Sequence, residues 1–439
     1  MNFEVNEINV HAKPIKCLKI AGSSIEQRNP THTIVLLDTS GSMDEGNKLN
    51  NVKKSLTFLL KFLQKSDYIS LVTFSSISEI LIENINCTNE YMEAFRYTIQ
   101  TLKAEGGTNL SAGLLNVKNI LQRSTNTCKT GLIILTDGHT NEGLTRSDDL
   151  LRIIEAIKVV NPSISITAIG YNEDHNANLL KDVATNGNGS YNIVNNIEEV
   201  ATVFGDILGG LMSVVVQNVS VTYVSSWKNL NMYKTKEKNG NSILEIGDVC
   251  GESETILLFE NTDMSTVTVS GVIISSLQSV QNTITWTPTE YSSNKESYMM
   301  AYIRNSIAYI LNNLTNLNKE ETLSKVNEMK EFLNSTSVQH NPLTKMLKDE
   351  INSIENQLNE SVLDTTNNLQ TSVMLGLGRG LSRARHIPRY NTNENNTNEY
   401  DTMIDQFQNM NMSMTPFANR VQRQLTQQMT TMTAGDPEE

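Results

Sequence analysis

Three oxygen-bearing side chains sit one residue apart in TIVLLDTSGSM (residues 33–43): Asp38, Ser40 and Ser42, with Gly41 between the serines. A turn needs a glycine and one polar residue, so three side-chain oxygens at alternate positions exceed what the turn requires. Two further hard oxygen donors stand far along the chain, Thr108 in the glycine turn AEGGTNL and Asp137 in LTDG. None of the five is His or Cys. Two carboxylates balance a dication and three neutral hydroxyls leave it electrophilic. That is the donor set Mg²⁺ asks for, about six oxygens at about 2.0–2.1 Å, some of them water. Such a shell keeps a position that an outside carboxylate can fill. Each piece in isolation has a plainer reading: DxSxS as a turn capping a helix, GGTN as a loop, TDG as a β-turn. The metal reading rests on their occurring together, in this order, at the ends of the elements described next.

TIVLLD (33–38) and GLIILTDG (131–138) are short apolar runs ending in an acid, as expected of strands covered on both faces. Between and after them, helical spacings (Leu49, Val52, Leu56, Leu59, Leu60, Leu63; SAGLLNVKNILQ; SDDLLRIIEAIKVV) alternate with strand-like segments up to residue 212. Repeated strand–helix units predict an α/β fold, a doubly wound and mostly parallel sheet with helices on both sides. In such sheets ligands bind beyond the carboxyl ends of the strands, where both aspartates lie. After Met212 the strand candidates NVSVTYVSS, NSILEIGDV, ETILLFE and STVTVSGVIIS follow one another without long helices, which reads as a β-sandwich. FEVNEINV and IKCLKIAG, near the start, are also strands. The expected organisation is therefore sandwich strands in 1–28, the α/β domain in 29–212 inserted into a β-sandwich completed by 213–290, a small helical region in 291–364, and an amide-rich, disordered tail in 365–439. Trp227 and Trp286 are expected in the sandwich core or at its edge.

With these residues in place, the sequence resembles the von Willebrand factor type A domain. The metal-ion-dependent adhesion site of that family has the pattern DxSxS, then Thr, then Asp, matched here by DTSGS (Asp38, Ser40, Ser42), GGTNL (Thr108) and LTDG (Asp137). The stretch IGYNEDHNANLLKDVATNGNGSYNIV is similar to the family's last strand, helix and strand. The resemblance implies Mg²⁺ or Mn²⁺ bound by the serines and threonine, with the aspartates acting largely through water. It also implies a protein ligand that offers an exposed Asp or Glu. The sandwich and helical flanks are similar to intracellular, multi-domain members.

The bulk numbers narrow the alternatives. A net charge of −13 over 439 residues argues against nucleic acid as the main partner. No stretch is long and apolar enough for a membrane span, and MNFEVNEINV lacks a secretory pattern. Cys17, Cys87, Cys128 and Cys250 are far apart, which suits a reducing compartment, so the expected location is intracellular and cytoplasmic. The function expected is non-enzymatic, metal-dependent protein binding. The rivals are an accessory or assembly subunit of a larger complex and a metal-assisted hydrolase. Asp44, Asn109, His139, Asn141, Glu142 and residues 172–174 are expected at the rim of the site, mostly as solvated loop residues. His175 is expected on the surface.

Overall fold

The computed structural model describes residues 1–10, 13–24, 28–137, 139–171, 175–194, 197–260, 266–286, 295–313, 319–334, 342–360 and 387–388. The chain opens with an antiparallel pair, β1 (Asn2–Val10) and β2 (Lys13–Ala21). An alternating series follows: β3 (Thr31–Asp38), α1 (Lys48–Leu59), β4 (Tyr68–Phe74), β5 (Ser78–Asn86), α2 (Asn89–Thr101), α3 (Leu110–Arg123), β6 (Lys129–Thr136), α4 (Ser147–Val160), β7 (Ser165–Tyr171), α5 (Ala177–Asn186), β8 (Tyr191–Val194) and α6 (Ile197–Met212). Then come β9 (Val214–Val224), β10 (Lys228–Asn229), β11 (Lys234–Lys238), β12 (Asn241–Cys250), β13 (Ser253–Glu260), β14 (Thr266–Ile273) and β15 (Ser279–Thr285). The helices α7 (Lys295–Asn313), α8 (Lys319–Asn334) and α9 (Pro342–Glu360) and the short β16 (Ile387–Pro388) complete the described chain. Residues 25–214 form one unit; residues 1–24 and 215–389 form the other.

In the α/β unit the strand order is β5-β4-β3-β6-β7-β8. All neighbours are parallel except β5, which runs antiparallel to β4 at the edge. Every residue of β3 and β6 is buried, whereas the edge strand β5 has no buried residue. This is why the central strands read as unbroken apolar runs: with helices on both faces, neither alternate set of side chains meets water. Val35 and Leu37 face a core with Val52 and Leu56 of α1, Phe95 of α2 and Leu208 of α6. Ile34 and Leu36 face the opposite core with Leu114 and Val117 of α3, Ile154 of α4 and Leu180 of α5. The chain runs β3, β4, β5 to one side, then returns to place β6 beside β3 and continues to β7 and β8. The winding direction therefore switches between β3 and β6, with Asp38 at the carboxyl end of one strand and Asp137 just beyond the other. A crevice at such a switch point is where open α/β sheets bind ligands.

The other unit holds two antiparallel sheets, β1-β2-β13-β10 with β16 also on β13, and β11-β12-β9-β14-β15. Strand β2 pairs with β13 from Ala21↔Glu254 to Ile15↔Glu260, so the first strands of the chain complete a sheet built from residues more than two hundred positions later. Leu18, Val221, Leu244 and Phe259 share a core with both tryptophans, whose ring centroids lie 5.5 Å apart. On the opposite face, Cys17 and Leu258 pack with Tyr298 of α7, whose hydroxyl donates to Glu4 Oε1 at 2.9 Å. The tail expected over 365–439 lies outside the described residues apart from Ile387–Pro388, which pair with Glu254 and Ser253.

One expectation is overturned here. His175 is not a surface residue: it is 6% exposed, with its ring packed edge-on against Tyr191 and hydrogen-bonded through Nε2 to the tyrosine hydroxyl. Residue spacing gives no hint of that burial, because it depends on β8 closing over the loop that carries His175.

Candidate metal centre

Strand β3 delivers Asp38 at its last position, completely buried. The Asp38 side chain folds back on its own loop, its Oδ1 accepting from Ser40 N–H at 2.8 Å, a local Asx turn that the DxS spacing permits. Its other oxygen accepts from Thr136 Oγ1 at 2.5 Å. That contact exists because the parallel register sets Leu37 beside Leu135, which brings the next residues of the two strands together. Burial pushes the Asp38 carboxyl up to about 6; the bonds from Ser40 and Thr136 pull it down, and the nearby Asp137 charge raises it.

Beyond Asp38 the chain makes a tight turn over Gly41–Asn47, anchored by Met43, which is fully buried in the core. Ser40 Oγ and Ser42 Oγ lie 3.1 Å apart, and Ser42 Oγ donates to Asp137 Oδ1 at 2.8 Å. Lys48, the first residue of α1, donates to the other oxygen, Asp137 Oδ2, and to the Ser42 carbonyl at 3.3 Å. Four of the five expected residues are thus joined by hydrogen bonds around the β3/β6 crevice: Asp38 to its Thr136 neighbour, and Ser40, Ser42 and Asp137 to one another.

Thr108 reaches the same place through backbone contacts. Gly41 N–H donates to Gly106 O at 3.0 Å and Glu105 N–H to Thr39 O at 2.8 Å, which zips the β3–α1 loop to the α2–α3 loop. Thr108, 4% exposed, has its N–H bound to Asn141 Oδ1 at 2.8 Å, and its carbonyl accepts from the backbone of Asn141 and Glu142 at 3.1 and 3.2 Å. Glycine is required beside it. Gly106 has φ +79°, a left-handed conformation that residues other than glycine rarely adopt. Asn109 then caps α3, its Oδ1 accepting from Ala112 N–H at 3.1 Å.

Several of the expected rim residues therefore do more than line a solvated loop. Asn109 caps a helix, Asn141 holds Thr108, and Glu142 accepts from Ser76 Oγ at 3.2 Å, while Asp44 and His139 are exposed. Residues 172–174 lie outside the described residues. Thr136, Lys48 and the holding role of Asn141 escape a reading of the sequence. Thr136 directly precedes Asp137, but its partner is fixed by strand register. Lys48 opens a helix ten residues after Asp38 and looks like any surface lysine.

The donor chemistry fits a hard divalent ion. Two buried carboxylates and the hydroxyls of Ser40 and Ser42 converge beside the loop that carries Thr108, and among the described residues no three His, Cys, Asp or Glu side chains form a metal cluster. The arrangement is an oxygen site rich in hydroxyls, unlike the nitrogen–sulfur sites that suit zinc. Asp38, Ser40, Ser42, Thr108 and Asp137 are the residues that would hold the ion.

A family profile described as the von Willebrand factor type A domain matches residues 33–206. The uncharacterized protein YfbK of Escherichia coli (strain K12) is 25% identical over 250 residues, 54% of this chain and 42% of that protein. The inter-alpha-trypsin inhibitor heavy chain H1 of Sus scrofa is 30% identical over 166 residues, 36% of this chain and 18% of that one. The chain thus spans less than half the length of these relatives. Among solved structures, a von Willebrand factor type A protein from Catenulispora acidiphila aligns with a TM-score of 0.56 over 79% of this chain and 88% of its own, at 16% identity. The ArnB paralog VWA2 from Sulfolobus acidocaldarius aligns with a TM-score of 0.53 over 86% and 97%, also at 16% identity. At that identity the likeness speaks for the fold, and it extends well beyond the α/β unit. The family profile and the strand order agree, and residues 33–206 are a von Willebrand factor type A domain.

Proposed function

We propose that this chain is a metal-dependent protein-binding module whose site takes a carboxylate from a protein partner. When bound, Mg²⁺ or Mn²⁺ supplies an electrophilic coordination position there. The observation that supports the reading is the cluster of Asp38, Ser40, Ser42 and Asp137 at the switch point between β3 and β6, with the loop of Thr108 hydrogen-bonded to the β3–α1 loop beside it. Ser40, Ser42 and Thr108 offer neutral oxygens. Asp38 and Asp137 offer charge, each oxygen already oriented by a donor from the protein. An acidic side chain is the ligand that neutral donors leave room for, since a shell of more carboxylates would quench the ion.

The chain acts by binding rather than catalysis in this reading. Both carboxylates are engaged in holding the site and so are poorly placed to serve as a general base. Its location is intracellular, supported by four free cysteines, three of them buried. The wider flanks position or regulate the contact. The test is affinity capture from host lysate in Mg²⁺ and again in EDTA, with Thr108→Ala as control and bound proteins identified by mass spectrometry. A partner retained only with Mg²⁺ and intact Thr108 is the expected result. A partner set indifferent to both changes would favour an assembly subunit in which the site is incidental.

A further inference from the structure

Lys48 stands out in the site because nothing in its own helix explains it. It opens α1, where the helix dipole disfavours a cation, and α1 has no acidic residue in its first turn. The chain takes two consecutive left-handed residues, Gly46 at φ +58° and Asn47 at φ 64°, immediately before it. That reversal turns the Lys48 side chain back over the site, where its ammonium donates to Asp137 Oδ2 and to the Ser42 carbonyl at 3.3 Å. The side chain is 14% exposed and the carboxylate it meets is completely buried. Asp38 and Asp137 together carry two formal negative charges, and Lys48 supplies one positive charge against them.

We propose that Lys48 is an internal counter-cation of the site, one that opposes the divalent ion and tunes the loaded site toward an anionic ligand. This inference rests on the metal-binding reading above. In the metal-free protein the ammonium satisfies Asp137 and spares the fold an unpaired buried carboxylate, a strongly destabilising arrangement. A dication entering the crevice meets this positive charge at close range in a poorly solvated place, so its affinity is set lower than the five donors alone would give. Once it is bound, two carboxylates, one dication and one ammonium leave a net charge of about one positive unit, each group counted at its formal charge. A partner carboxylate brings that to neutrality, whereas without Lys48 the loaded site would already be neutral. Lys48 thus trades metal affinity for selectivity toward an acidic partner.

The experiment is isothermal titration of the full chain with Mn²⁺, and again with Mg²⁺, comparing wild type, Lys48→Gln, Lys48→Arg and Asp38→Ala. Lys48→Gln is expected to bind Mn²⁺ about tenfold more tightly than wild type, and Lys48→Arg, which keeps the charge, to stay within about twofold of wild type. Binding by Lys48→Gln where wild type shows none carries the same meaning as the tenfold gain. If wild type binds, Asp38→Ala does not, and Lys48→Gln is no tighter than wild type, the counter-cation role is overturned while the metal site stands. If wild type and Lys48→Gln both titrate like Asp38→Ala, the metal reading itself fails and takes this inference with it. A second measurement needs no variant: acetylation of Lys48 in the wild-type chain, followed by mass spectrometry with and without Mn²⁺. The rate is expected to rise several-fold as the ion displaces the ammonium from Asp137, and an unchanged or slower rate overturns the role.

Discussion

Thr136→Val is the perturbation that probes the architecture of the site most directly. The two side chains are nearly the same shape, Thr136 is 3% exposed, and the change removes the hydroxyl that donates to Asp38 Oδ2 at 2.5 Å. A hydrogen bond to a buried charged group is worth about 1.5–3 kcal/mol, so the metal-free α/β unit should lose about 2 kcal/mol at pH 8, where Asp38 is ionised. The loss must depend on pH. Burial places the folded-state value of Asp38 at about 6, above the ordinary 3.8, so the folded state holds a proton between those values that the unfolded state has released. Ionisation of Asp38 therefore erodes stability as pH rises through about 6, and the contribution is fully recovered below 3.8. Without the Thr136 donor the carboxylate is harder still to ionise. The gap between variant and wild type should accordingly shrink to less than about 1 kcal/mol at pH 4.5, where a neutral carboxyl has only an ordinary bond to lose.

The assay has to report on this unit alone. Both tryptophans belong to the sandwich core, so their fluorescence follows the other unit. Amide hydrogen exchange of β3 and β6 in EDTA, corrected for the intrinsic rate at each pH, is the suitable readout. A loss of about 2 kcal/mol appears as roughly thirtyfold faster exchange at pH 8. Other titrating groups cancel in the difference between variant and wild type. A gap equal at pH 8 and pH 4.5, or larger in acid, would refute the idea that Thr136 stabilises a buried, ionised Asp38.

Three further outcomes follow from single contacts. His32 is 1% exposed beside Ser70 Oγ, and burial lowers its value from 6.5 to about 4. The unfolded state takes up a proton in that window and the folded state does not, so acidification should remove up to about 3 kcal/mol, and His32→Gln should flatten the slope of β3 exchange against pH. Asn141→Ala leaves the buried Thr108 N–H without its acceptor and should lower Mn²⁺ affinity about tenfold to a hundredfold by calorimetry; an unchanged affinity removes Asn141 from any positioning role. Gly189→Ala would set a Cβ 2.0 Å from the Ile166 carbonyl oxygen, a backbone atom that cannot swing away. A loss of about 3 kcal/mol or more, seen as early thermal loss of far-ultraviolet circular dichroism, is expected, and a wild-type melt would count against the packing described for β7 and β8.

What the sequence determined by itself was local. Unbroken apolar runs made β3 and β6 two-face-buried strands, leucine spacing made α1 and α3 amphipathic, and the DxSxS spacing fixed the Asp38–Ser40 turn, because each depends on residues within one or two turns of chain. The residue types of the donor set were legible for the same reason. Tertiary structure alone decided that β3 and β6 are neighbours, and that adjacency brings Thr136 to Asp38 across 98 residues and Lys48 to Asp137 across 89. It also buried His175 against Tyr191, turned Asn141 from a loop residue into the holder of Thr108, and joined β2 to β13 across the inserted domain. Periodicity reports which face of an element is apolar. It carries no information on which other element meets that face, since strand order is settled by packing free energy summed over the whole sheet.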